Sequence, residues 1–141
     1  MTKKKVTAKV LSQKKIGPDI YDLWMSTELA ETARPGQFVC VYPKDRSALL
    51  GRPISICEVI PTESMMRLVY RKVGKGTSEF ATLNTGDTVE LLGNLGNGFP
   101  ADLAKGKKVF LIGGGVGIPP MVQLAKTIQG EKQIIVGYRN S

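Results

Sequence analysis

A chain of 141 residues with 42% apolar and 23% charged content suits one ordinary domain, or one small domain plus part of another, and its composition argues against disorder. The formal charge of +8 draws heavily on Lys3, Lys4, Lys5, Lys9, Lys14 and Lys15, which read as a solvated, lysine-blocked edge strand; the four Phe and four Tyr are scattered rather than interleaved with that run, against nucleic-acid binding. Two cysteines seventeen apart, Cys40 and Cys57, and no histidine leave too few ligands for zinc, and no apolar run approaches membrane-spanning length, so free thiols and a cytoplasmic protein are expected.

Along the chain, Lys5 to Ile16 alternates apolar and polar residues with the period of a half-buried strand, and Gly17-Pro18-Asp19 turns it. Ile20 to Ser26 predicts a second strand of mixed burial, with Ile20, Asp22 and Trp24 on one face and Tyr21, Leu23 and Met25 on the other. Gln37 to Tyr42 follows the turn at Ala33-Arg34-Pro35-Gly36, and Pro53 to Ile60 follows Arg52, with Pro53 expected at a strand start or edge because it cannot donate to a ladder. Met65 to Val73 is a fifth strand. Thr77 to Leu83 predicts a short helix with Thr77 as N-cap and Phe80 and Leu83 on its inner side, before a sixth strand at Thr88 to Leu92. Six short strands and one helix argue for a small antiparallel barrel.

Near residue 101 the pattern changes. Lys108 to Ile112 is a continuous apolar run, expected to be covered on both faces, and it enters Gly113-Gly114-Gly115-Val116-Gly117. Pro119-Pro120 open a helix with Met121, Leu124, Ala125 and Ile128 on one side, Gly130 stops it, and Gln133 to Gly137 predicts a second buried strand. A strand running into glycines at a helix mouth lets backbone N–H groups approach a pyrophosphate. The standard fingerprint is incomplete, because Ile118 or Pro120 stands where the third glycine belongs. The second strand ends in Tyr138, Arg139 and Asn140 rather than in an acidic residue for a ribose. One β-α-β unit of about forty residues is a poor domain, so the unit is expected to be a fragment of a longer protein or completed by another molecule.

Two clusters carry the chemistry: Arg52-Pro53-Ile54-Ser55, and Val69-Tyr70-Arg71 with Gly76-Thr77. Each puts an arginine beside a hydroxyl in a β-rich segment, as an anion-and-flavin cradle requires. With Leu95-Gly96-Asn97-Gly98-Phe99-Pro100 and the Gly113 to Pro120 run, in this order and spacing, the chain resembles the electron-transfer subunit family of type B dihydroorotate dehydrogenase, within the ferredoxin-NADP reductase superfamily.

The resemblance implies a mainly β fold: a six-stranded antiparallel Greek-key barrel that binds FAD over 1–101, then an incomplete α/β NAD-binding domain, a single β-α-β unit, over 102–141. It implies Arg52 on the FAD pyrophosphate, Pro53 and Ile54 beside it, Ser55 near the reactive edge of the isoalloxazine, Val69, Tyr70 and Arg71 lining the cofactor, and Gly76 and Thr77 at its phosphates. Gly113, Gly114, Gly115, Val116 and Gly117 would sit under NAD. Ile54 replaces the aromatic that often stacks on the flavin in this superfamily. Family members continue to a four-cysteine segment holding a two-iron two-sulfur cluster, which Cys40 and Cys57 cannot replace. The implied function is electron transfer between NADH and the FMN-containing dihydroorotate dehydrogenase catalytic subunit in pyrimidine biosynthesis, with no residue of this chain in acid–base catalysis; a homo-oligomer is compatible with the sequence. Two other readings share these motifs: a stand-alone NAD(P)H-flavin or sulfide-linked reductase of the same superfamily, and a non-enzymatic docking module built on the barrel.

Overall fold

The alternating segments fold as strands in a computed structural model that describes residues 3–139. β1 (Lys5–Gly17), β2 (Ile20–Ser26), β3 (Phe38–Tyr42), β4 (Arg52–Ile60), β5 (Met65–Arg71) and β6 (Thr88–Leu95) close into an antiparallel barrel of order β1-β2-β5-β4-β3-β6. The six-stranded antiparallel barrel expected from the sequence is therefore present. In β2 the inward face is that of Leu23 and Met25, each at most 1% exposed. They join Val10, Val39, Val41, Ile56, Met66, Leu68, Leu91 and Phe80 in one core, where each large apolar side chain contributes about 1.5–3 kcal/mol relative to exposure.

Closure corrects the expectation of a lysine-blocked edge. β1 is long enough to bridge two neighbours, pairing with β6 along Lys5–Lys9 and with β2 along Lys9–Gly17. Lys5 pairs with β6 and Lys9 with both β6 and β2, with their long stems reaching solvent. Pro53 behaves as expected. It sits second in β4 opposite Cys40 of β3, whereas the ladder to β5 begins only at Ile56, so its missing N–H interrupts no bond.

The helix assigned to Thr77–Leu83 is displaced: α1 spans Lys75–Phe80, with Gly74 as N-cap and Thr77 at the third helical position. The Thr77 hydroxyl still caps, but by reaching back, accepting from the Val73 and Gly74 N–H groups at 2.9 and 3.0 Å. Phe80 points into the core at 1% exposure, as its spacing predicts.

Beyond the barrel, β7 (Val109–Gly114), α2 (Pro119–Thr127) and β8 (Lys132–Gly137) form the β-α-β unit, with β7 and β8 parallel. Leu124 and Ile128 of the α2 segment bury against Leu111 and Ala104, on the side the helical spacing predicted. The expectation that both strands are covered on both faces is overturned. Phe110, Ile112, Ile134, Ile135 and Val136 remain 44–69% exposed. A continuous apolar run reports suitability for a covered strand, and the covering layers come from elsewhere in a fold; among the described residues α2 and the 101–104 segment pack on β7, and the other face of the pair is left open.

The Leu95 to Pro100 run links the two parts by clamping onto the 33–36 turn. Phe99 N–H donates to the Pro35 carbonyl at 2.7 Å, Arg34 Nη2 to the Asn97 carbonyl at 2.7 Å, and Gln37 Nε2 to the Gly96 carbonyl at 2.9 Å. Gly36, at φ +88°, lies under the Phe99 ring so closely that a Cβ would meet it at 2.6 Å. Both the left-handed backbone and the close approach require glycine there.

Candidate functional site

The antiparallel ladder between β4 and β5 explains why two motifs some fifteen residues apart in sequence act as one. With Ile56 opposite Leu68, the preceding residues of β4 run alongside the following residues of β5. Arg52, Pro53, Ile54 and Ser55 therefore stand beside Val69, Tyr70 and Arg71. Together with Thr77 they line a cleft of about 720 Å³, closed on the other side by Gly114, Gly115, Val116, Gly137, Tyr138 and Arg139 of the β-α-β unit. That volume is within the usual range for small-molecule and cofactor sites.

Each residue has a distinct placement. The pleat turns Pro53 and Ser55 outward and Ile54 inward, where it is 8% exposed and part of the barrel core. Tyr70 is likewise a core residue, 4% exposed, its ring stacked on Tyr21 at 5.7 Å and edge-on to Phe80 at 6.3 Å. Its hydroxyl donates to Gln13 Oε1 at 2.6 Å, while Gln13 Nε2 donates to the Phe80 and Leu83 carbonyls at 2.9 and 3.1 Å. Burial, and then the neighbouring Tyr21, push the Tyr70 phenol well above its ordinary range. It is a neutral hydrogen-bond donor tying β5 to β1 and α1, not an acid–base group. Arg71 ends β5 and is exposed.

Arg52 and Gly76 form a pair that neither motif announces. The Arg52 guanidinium donates to the Leu50 carbonyl at 2.6 Å and lies over the first turn of α1, where a Cβ on Gly76 would come within 2.8 Å of Nε. Gly76 thus makes room for the arginine without itself lining the cleft. The loop that delivers Arg52 is held by α1. Lys44 and Asp45 donate their N–H groups to the Glu79 carboxylate at 2.7 and 2.8 Å, and Asp45 pairs with Lys75 at 3.3 Å. Hydrogen bonds from the Ser47 backbone and hydroxyl, then Lys75, hold the Asp45 carboxyl down to about 2.

The glycine turn offers less than its glycine content suggests. β7 continues through Gly113 and Gly114, and only Gly114, Gly115 and Val116 of the run reach the cleft; Gly113 instead packs against the Gly117 carbonyl. At the mouth of α2, Pro119 and Pro120 have no N–H, Ile118 N–H donates to the Gly115 carbonyl and Met121 N–H to that of Ile118. Gly115 and Gly117 have nothing within 4 Å of where a Cβ would stand. Their backbone is open to close approach.

Arg139 and Tyr138, with Val73 and Gly137, line the cleft from outside the sequence motifs. Tyr138 and Arg139 signalled only the lack of an acidic ribose partner at the end of β8, yet Arg139 brings a third guanidinium to a cleft that no carboxylate lines among the described residues. Asn140 lies outside the described residues. Cys57 is buried and Cys40 half-buried, both free thiols, and the described residues contain no group of three or more ligands able to hold a metal ion. Among them no helix is long and apolar enough to cross a membrane.

No family model matches the chain. Over 138 residues it is 40% identical to the dihydroorotate dehydrogenase B (NAD(+)) electron transfer subunit of Streptococcus pneumoniae, a match covering 95% of this chain and 54% of that protein. Over 143 residues it is 41% identical to the subunit of the same name from Enterococcus faecalis, covering 98% and 54%. The chain spans about half the length of the curated relatives it matches. Among solved structures, an NADH-dependent reduced ferredoxin-NADP oxidoreductase superposes with a TM-score of 0.86 at 29% identity, over 95% of this chain and 49% of that one. Ferredoxin-NADP+ reductase from Plasmodium falciparum superposes with a TM-score of 0.79 at 18% identity, over 97% and 60%, and shares the fold. The chain is a relative, over about half their length, of the dihydroorotate dehydrogenase B electron transfer subunits, and it is built on the ferredoxin reductase-like fold.

Proposed function

We propose that the chain is the flavin-holding part of an NADH-linked electron-transfer subunit, with FAD in the cleft between the barrel and the β-α-β unit. The observation that carries this is the convergence of Arg52, Ser55, Arg71 and Arg139 on one cavity of cofactor size with no lining carboxylate among the described residues. The donor set suits a pyrophosphate, because guanidinium groups pair with phosphate oxygens through charge-assisted, bidentate hydrogen bonds. The glycine under Arg52 fits the same purpose, keeping the guanidinium beside the backbone of α1. In this reading residues 1–101 form the FAD domain and 102–141 the start of the NAD domain.

A bound FAD would supply two-electron exchange with a nicotinamide and one-electron exchange with an iron–sulfur centre. The chain's own residues bind and orient. Arg52 and Arg71 neutralise the pyrophosphate, with the backbone of Gly76 and Thr77 beside it. Ser55 presents a hydroxyl, one donor and two acceptor sites, from the outward face of β4 into the cleft, where it would meet the flavin. Pro53, Ile54, Val69 and Tyr70 form the apolar wall, and the open backbone of Gly115 to Gly117 is where a nicotinamide dinucleotide approaches, with Gly113 and Gly114 leading into it. A two-iron two-sulfur cluster does not fit this chain, which has two cysteines where four ligands are required. Such a cluster, and docking to a dihydroorotate dehydrogenase catalytic subunit in pyrimidine synthesis, belong to the proposal for the longer protein; the relatives' names support that assignment.

Titrating the purified chain with FAD and following flavin fluorescence and absorbance tests the reading. Saturable binding that weakens at least tenfold in Arg52→Ala is expected. An unchanged flavin signal across the titration would overturn it.

A further inference from the structure

β4 carries a bulge whose consequence reaches the cleft. Ile56 pairs with Leu68 and Glu58 with Arg67, so Cys57 is the extra residue, and Ile56 to Val59 are buried in succession. β4 is covered on its outer side there because α2 lies across it. The interruption frees the Val59 N–H, which donates to Gln123 Oε1 of α2 at 3.1 Å. One residue earlier, Glu58 receives Lys126 of α2 on one carboxylate oxygen and Arg67 on the other, at 3.3 Å for the arginine. Arg67 in turn grips Asp22 with two nitrogens at 2.7 and 2.9 Å. Gln123 and Lys126 are three apart and so share a helix face.

We propose that the Glu58–Lys126 and Val59–Gln123 contacts form a latch that sets the cleft's width, making Gln123 and Lys126 positioning residues for the glycine turn. The two arms of the latch end in the same cavity. Ser55 lies four residues from Val59, about 13 Å along β4, and Gln123 lies about 6 Å along the axis of α2 from Pro119, just after the glycines. The carboxylate of Glu58 is only 12% exposed and anchored to Arg67, so β4 offers a fixed point. The latch supplies the polar contacts between α2 and that point, and Gly114, Gly115 and Val116 face the barrel motifs while it is closed. The inference rests on the flavin reading, since the turn has something to close on only when the cleft is filled.

Hydrogen–deuterium exchange of the full chain, with and without saturating FAD, tests it with Gln123→Ala/Lys126→Ala. Both side chains belong to α2 and Lys126 is 58% exposed, so no side chain of the barrel core is replaced. In the parent chain FAD should slow exchange about tenfold both at 52–56 and 69–77 and at 113–118. In the variant the barrel protection should persist while that at 113–118 falls below about twofold. Restoring the single changes in turn should recover it, and Lys126→Arg in the parent background should keep it. Equal protection of 113–118 in parent and variant would overturn the latch and leave flavin binding standing. Absence of protection anywhere in the parent, with no FAD affinity, would overturn the flavin reading and the latch together.

Discussion

Gly76→Ala separates the cradle from the fold more cleanly than removal of the arginine itself. The added Cβ would stand 2.8 Å from Arg52 Nε, 3.0 Å from Cγ and 3.2 Å from Cζ, and no other atom is among its three closest neighbours. The arginine side chain is flexible and leaves; the backbone of α1 stays, since Gly76 is already helical. Alanine in a helix is favoured over glycine by about 0.5–1 kcal/mol, less so near an end, so stability should hold or rise slightly. A displaced guanidinium forfeits charge-assisted hydrogen bonds of about 1.5–3 kcal/mol, which is roughly a 10- to 100-fold loss of FAD affinity. Urea unfolding monitored by Trp24 fluorescence, paired with FAD titration at constant ionic strength, reads both quantities. Gly74→Ala is the control. It lies two residues earlier at φ −158° with nothing within 4 Å of its Cβ position, and should leave affinity within twofold. Gly76→Ala that binds FAD within twofold of the parent, or that loses stability and affinity in step, would refute the reasoning.

Three other changes probe the groups around the cleft. Arg67→Ala strands Asp22, whose side chain is 13% exposed, and leaves Glu58, 12% exposed, to Lys126 alone; it should cost about 3 kcal/mol in urea unfolding, far more than a surface ion pair. Tyr70→Phe removes one hydrogen bond and should cost about 1 kcal/mol, whereas Gln13→Ala, which leaves the Tyr70 hydroxyl and two carbonyls without their partner, should cost about 2–3 kcal/mol. Burial pushes the Cys57 thiol up from 9.0 to about 11. The unfolded thiol ionises first, so this contribution to stability is intact below about pH 9 and is lost as pH rises toward 11. Cys57→Val should flatten that decline. In the native chain iodoacetamide at pH 8 should modify Cys57 only on unfolding.

The barrel was legible because its signal is local. Period-two alternation in β1 and β2, the turn at Gly17-Pro18-Asp19 and the start-of-strand rule for Pro53 each need only neighbouring residues. The helical face of Met121, Leu124, Ala125 and Ile128 was legible for the same reason. What escaped depends on distance in sequence. Thr77 looked like an N-cap because its type fits one, yet it sits at the third helical position and caps backwards onto Val73 and Gly74. The lysines of β1 suggested an edge, and only barrel closure could remove it. Gln13 carries no mark of its partnership with Tyr70, 57 residues away, and the Cys57 bulge that presents Val59 to Gln123 arises from a register shift between two strands. Within the cleft, Arg52, Ser55 and Arg71 were recognisable from residue type. Arg139 was not, because an arginine just beyond β8 carries no local mark of the cavity it lines.

The half-bare β7–β8 pair also sets how concentrated solutions of this chain should behave. Phe110, Ile112, Ile134, Ile135 and Val136 put aliphatic and aromatic surface next to water, while a formal charge of +8 keeps molecules apart. The two oppose each other at different ranges, since repulsion acts over a Debye length of about 10 Å at 0.1 M salt and about 3 Å at 1 M. Adding sodium chloride should therefore raise the second virial attraction in static light scattering, and Ile112→Lys, at a side chain already 69% exposed, should reverse that trend without lowering the melting temperature. For this chain, low ionic strength is the condition that keeps molecules dispersed.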